Sequence, residues 1–128
     1  MTIDGFRKLA LALPECYESA HMDHPDFRVR NKVFATLAYP NASWAMVKLR
    51  PLQQARFLAS QPSIFVPVKG GWGAKGATNV RLRTATHATL WPALVAAWRN
   101  VAPAALLKQH VDLKRPRRLT RVGADRQE

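Results

Sequence analysis

Cysteine is nearly absent. The single Cys16 of this 128-residue chain has no partner within it, which excludes an internal disulfide and agrees with a reducing compartment. Long apolar runs are missing too, since none approaches the roughly 20 residues needed to span a bilayer. At the N-terminus, Asp4 and Arg7-Lys8 flank no extended apolar segment, so no secretory signal pattern is present. A cytoplasmic protein is expected. Acidic residues are scarce, eight against 20 lysines and arginines, for a net charge of +12. The scarcity is local. Residues 1–26 carry five acidic and two basic side chains, whereas residues 27–128 carry three acidic and 18 basic. A field of that sign draws in polyanions and speeds their capture. The alternative is a charge that only keeps the protein soluble.

What is present suits one domain with a real core: 48% of the residues are hydrophobic. Residues 2–12 read as a helix capped by Thr2 or Asp4, with Phe6, Leu9, Ala10 and Leu13 on one face, ended by Leu13-Pro14. Residues 16–20 read as a short strand, and His21 to Asp26 as a polar turn. Strands are expected at 27–30, 33–37 and 44–49, joined by tight turns at Asn31-Lys32 and Tyr39–Ala42, which favours an antiparallel meander. Pro51 opens a second helix with Leu52, Ala55, Leu58 and Ala59 facing inward, stopped by Pro62. Residues 64–68 are strand-like, with Pro67 confining them to an edge. The last long helix starts at Thr86 or Thr89 and buries Leu90, Leu94, Trp98 and Val101, broadened by Trp91 and Val95; residues 104–109 add a short helical turn. From residue 111 the chain is basic and poor in apolar side chains, so it is expected to be disordered alone.

Four of the six glycines fall in Gly70-Gly71-Trp72-Gly73-Ala74-Lys75-Gly76, followed by Val80 and Leu82 alternating with Arg81 and Arg83. This reads as a hairpin arm with an arginine face, in which Trp72 needs a surface to rest on. Gly71, Gly73 and Gly76 match the spacing of a dinucleotide fingerprint, but they lead into a strand, whereas that fingerprint opens a helix. No cofactor is expected. His21, Asp23, His24 and Asp26 are metal ligands by type, yet no third group stands at a known spacing. Cys16 and Ser19, near His21, lack a nucleophile elbow; Cys16 reads equally as a small packed side chain, and no enzymatic activity is expected. The basic strand faces remain. Arg28 and Arg30 share one face, Arg81 and Arg83 another, with Lys32, Lys48, Lys69 and Lys75 at strand ends or loops beside them. These eight side chains are the candidate phosphate contacts, with Trp72, Trp44 or Phe34 available to sugars or bases. The competing reading is that arginine stems cover apolar sheet surface while their heads stay in water.

The chain also resembles the MmcQ/YjbR-like proteins. The matching pieces are Leu13-Pro14, Glu18-Ser19-Ala20-His21, Pro25-Asp26-Phe27-Arg28-Val29, Lys32 to Leu37, Val47-Lys48-Leu49, Gly71-Trp72-Gly73 with Gly76-Ala77-Thr78, Val80-Arg81-Leu82, and Ala97 to Pro103. The resemblance implies a small α+β domain over residues 1–110, an antiparallel sheet meander backed by helices in a double-wing arrangement, followed by the basic tail 111–128. It implies DNA binding by basic loops and strands, a label commonly given to the family, and no catalytic residues. Arg28, Lys32, Lys48, Trp72, Lys75 and Arg81 lie in the recurrent segments. The expectation is a nucleic-acid-binding protein, with double-stranded DNA as the leading partner and weak sequence preference. The alternative is a protein-interaction or small acidic-ligand module.

Overall fold

The computed structural model describes residues 1–116. Six strands form one antiparallel sheet: β1 (Tyr17–His21), β2 (His24–Val29), β3 (Lys32–Leu37), β4 (Trp44–Lys48), β5 (Phe65–Pro67) and β6 (Ala77–Arg81), in the spatial order β1-β2-β3-β4-β6-β5. The first four strands make the expected meander because their connections are short. Two of these are two-residue turns, Met22-Asp23 and Arg30-Asn31, with all four residues at φ between 50° and 67°. Paired positive φ values match the right-handed twist of the flanking strands, which is why such turns close hairpins. The edge position of β5 agrees with Pro67, which has no N–H to donate to a further strand.

Cross-strand register divides the sheet into two faces. Phe27, Ala35, Val47 and Val80 point into the core, as do Leu37, Ala45 and Phe65. On the other face a row runs across all six strands: Ser19, Asp26, Thr36, Met46, Asn79 and Val66. Helices α1 (Ile3–Leu11), α2 (Pro51–Ser60) and α4 (His87–Val101) all pack on the core side. Thr2 caps α1 by accepting the Gly5 N–H at 2.9 Å, and Phe6, Leu9 and Ala10 are its buried face. Thr86 caps α4, which buries Leu90, Trp91, Ala93, Leu94, Ala97 and Trp98. The Trp98 indole N–H donates to the Pro14 carbonyl at 3.0 Å, joining α4 to the end of the first helical segment. The short helix α5 (Ala104–Gln109) adds Leu106 to the core.

Beyond α5, the Val111 carbonyl accepts from Arg99 at 2.7 Å and the Leu113 carbonyl from Trp91 at 3.2 Å, so the chain returns along α4. The remainder of the expected basic tail, from residue 117, lies outside the described residues.

Three local expectations are corrected. Residues His24–Asp26 belong to β2 and not to a polar turn; only Met22-Asp23 turns. The strand expected to carry Val80 through Arg83 runs instead over Ala77–Arg81, since Leu82 to Thr84 turn toward α4. The face of α2 is rotated: Leu52 is 77% exposed and Ala55 and Ala59 are exposed, while Gln53, Gln54, Phe57 and Leu58 face the protein. The reason is polar. Gln54 donates to the carbonyls of Gly73 and Ala77 at 3.0 and 3.1 Å and to the Thr78 hydroxyl at 3.2 Å. Gln53 pairs with Asn100 of α4, and Phe57 packs on Phe65.

Candidate nucleic-acid interface

The strand directions sort the candidate side chains. At one end of the sheet lie the end of β2, the start of β3, the end of β4, the end of β5 and the start of β6. That end collects the Arg30-Asn31 turn, Lys32, Lys48, Arg50, Lys69 and Lys75, all exposed. At the opposite end β6 terminates with Arg81, and Arg83 follows in the turn. The expectation of arginine pairs on strand faces therefore holds for neither pair. Arg30 occupies a turn at φ 50°, which takes it out of the alternation of β2, and Arg83 lies past the end of β6.

Arg28 does face outward from β2, but it is engaged. Its guanidinium forks onto the Asp26 carboxylate at 2.8 and 2.9 Å. Asp26 is only 1% exposed, so this pair is a structural device on the open face, and the carboxylate holds the Arg28 pKa above its ordinary value. Arg30 pairs with Glu15 at 2.8 Å across an exposed gap, an interaction of small worth. Arg81 donates to the Ser63 carbonyl at 2.8 Å and its guanidinium lies 5.1 Å from the Trp44 ring centre, a cation–π contact. Unlike Arg28 and Arg30, Lys32, Lys48, Arg50, Lys69 and Lys75 make no ion pair among the described residues. Arg50 was absent from the sequence candidates. Its signal was its place, the last residue before Pro51 opens a helix just past a strand end.

The glycine segment is built for close approach. Gly71–Ala74 forms one helical turn, α3, where a hairpin loop was expected. Val68 donates to the Ala77 carbonyl, closing the chain around that turn. A Cβ on Gly73 would lie 1.6 Å from the Val68 carbonyl oxygen, and one on Gly76 would lie 2.1 Å from that of Leu49. Gly76 also sits at φ 113°, a conformation that side chains other than glycine's rarely adopt. These contacts fix the turn and leave Trp72 67% exposed, so it lacks the resting surface expected among the glycines but is open to contact. Beside it opens a recess of about 250 Å³ lined by Lys48, Leu49, Trp72, Lys75 and Ala77. Phe34, proposed for base contact, is fully buried.

The remaining polar candidates separate. Met22 is exposed at the β1–β2 turn beside His21 and Asp23, while His24 stacks edge-on against Tyr39 at 5.1 Å between ring centres. With Asp26 turned toward Arg28, no three His, Cys, Asp or Glu side chains gather at one point among the described residues. Burial, with a smaller effect of Glu18, pushes the Cys16 thiol up to about 12, so it stays protonated at neutral pH, opposite to an activated nucleophile. Among the described residues no helix is long and apolar enough to cross a membrane.

Comparison with known proteins agrees with this architecture. The YjbR family model matches residues 11–110. The chain belongs to the YjbR family. The YjbR fold is seen in the crystal structure of Deinococcus radiodurans protein DR2400, a DUF419-domain protein. That structure superimposes with a TM-score of 0.66, covering 84% of this chain and 86% of its own, at 19% sequence identity. At that identity the likeness is one of fold. No curated protein matches the sequence.

Proposed function

We propose that this YjbR-family protein binds nucleic acid, double-stranded DNA in the first instance, through the basic end of its sheet. One observation carries the reading: Lys32, Lys48, Arg50, Lys69 and Lys75 gather at a single end of the sheet, exposed and without ion pairs among the described residues. Against a net charge of +12, these are the side chains most available to phosphate oxygens. Affinity comes from the backbone of the DNA. Among the described residues no long helix offers a base-reading face, since α1 and α4 are spent on the core and the exposed side of α2 carries Leu52, Ala55, Arg56 and Ala59. Sequence preference is accordingly weak, and the role is binding without catalysis.

Titration of a mixed-sequence duplex at several salt concentrations tests this. If the five free cations each neutralise one phosphate, the logarithm of the binding constant falls against the logarithm of salt with a slope of about −4 to −5. No binding even at low salt, or a slope near zero, contradicts the proposal.

A second reading, a small acidic-ligand module, draws on the recess beside Trp72. Duplex binding that a short acidic peptide displaces as well as DNA does would favour it.

A further inference from the structure

The recess at Trp72 sits at the corner where the open face of the sheet meets its basic end. β4 runs along the open face through Trp44 and Met46 and delivers Lys48 to the rim, opposite Ala77 of β6. Lys75, the residue that closes α3, also lines it. Leu49 and Ala77 supply apolar lining. An aromatic ring with most of its surface in water, sharing a recess with two lysines and two apolar residues, presents three complementary demands. It suits a flat π-surface, a negative charge within reach of that surface, and little else.

The backbone turn that carries the indole is also held in place. Gly73 and Gly76 lock the α3 turn against the Val68 and Leu49 carbonyls, and the Gln54 amide binds that turn to α2 through the Gly73 carbonyl. With that backbone fixed in advance, only the indole's own side-chain freedom is lost when a ring stacks on it. At about 250 Å³ the recess is below the ~300–1,000 Å³ of sites that engulf a whole small molecule. It accommodates one ring with its charged group at the rim. Peptide addition to the neighbouring sheet edge is blocked, because β5 has three residues and ends in Pro67.

We infer that this recess takes one unpaired nucleotide of a nucleic acid, its base stacked on Trp72 and its phosphate between Lys48 and Lys75. The inference rests on the nucleic-acid reading above and adds to it. The basic end holds backbone phosphates of any duplex, and Trp72 rewards a base that is not paired. The protein then favours duplex ends, gaps and single strands over intact duplex.

The test compares a blunt duplex with the same duplex carrying a short unpaired thymidine overhang, using the full chain and fluorescence anisotropy. The overhang is expected to tighten binding roughly 5- to 150-fold, the range of base–aromatic stacking. Trp72→Ala should remove that advantage and leave blunt-duplex affinity unchanged, and Trp72→Phe should keep most of it. Thermal unfolding of each variant, expected to match the parent because the indole is largely exposed, shows that the fold is intact. If blunt duplex binds but the overhang adds nothing, or if Trp72→Ala weakens both ligands equally, the nucleotide site is overturned while the basic-end reading stands. If oligoglutamate displaces the overhang duplex and its own binding depends on Trp72, the recess is an acidic-peptide site and the inference fails. If neither duplex binds, both readings fall.

Discussion

At Asp26, a carboxylate 1% exposed lies on the sheet face opposite the core residues Phe27, Ala35 and Val47. It is tolerable there because Arg28, two residues along the same strand, supplies two hydrogen bonds, and Ser19 and Thr36 stand opposite it on the neighbouring strands. This decides what Arg28 does. Replacing it with methionine strands a buried charge, and the domain should lose about 1–3 kcal/mol, read by urea unfolding at neutral pH. Adding Asp26→Asn to Arg28→Met should restore much of that loss. DNA affinity should change little in either variant. A drop in affinity with unchanged stability would instead make Arg28 a phosphate contact, as the strand pattern alone suggested. The sequence shows alternation, and alternation placed Arg28 on the outer face correctly. Asp26 lies two residues away and so on the same face, but its assignment to the preceding polar turn hid the pair.

Elements were legible where apolar spacing is strong. The capped first helix, the four-stranded meander, the edge strand with Pro67 and the tryptophan-rich last helix all follow from periodicity and turn residues. α2 was legible in its limits but not in its orientation. Its apolar residues, Leu52, Ala55, Leu58 and Ala59, suggested one inward face, yet the helix is set by Gln53, Gln54 and Phe57. Side-chain amides can fasten a helix by satisfying carbonyls at a neighbouring turn, and no hydropathy pattern reports that. Gln54→Leu should therefore cost about 1–3 kcal/mol despite its gain in apolarity. Leu52→Lys should stay within about 0.5 kcal/mol of the parent. Thermal unfolding distinguishes these; the reverse ranking would restore the periodic face. The glycine segment was misread for a related reason. Its residues signal close backbone approach, which is what Gly73 and Gly76 provide, but the resulting one-turn helix is too short to leave a periodic trace.

Across the whole molecule, charge is sorted along the strand axis. Four of the five acidic residues in the first 26 pair with basic side chains of the N-terminal third: Asp4 with Arg7 and Lys8, Glu18 with Arg7, Glu15 with Arg30, Asp26 with Arg28. The excess of positive charge is left to later segments, and the fold brings five of those cations to one end of the sheet. Candidate residues were therefore visible in the sequence as a set, but not their division. Arg81 and Arg83 belong to the far end, a fact that depends on strand order and direction. The most direct measurement is a pair of charge reversals, Lys69→Glu with Lys75→Glu at one end and Arg81→Glu with Arg83→Glu at the other. Duplex binding is measured at low salt after each variant is shown to be folded. The first pair should weaken binding by a factor of about 100 or more, as two phosphate contacts become repulsions, and the second pair should weaken it far less. Equal losses at both ends, or a larger loss from the arginine pair, would contradict an interface at the basic end of the sheet.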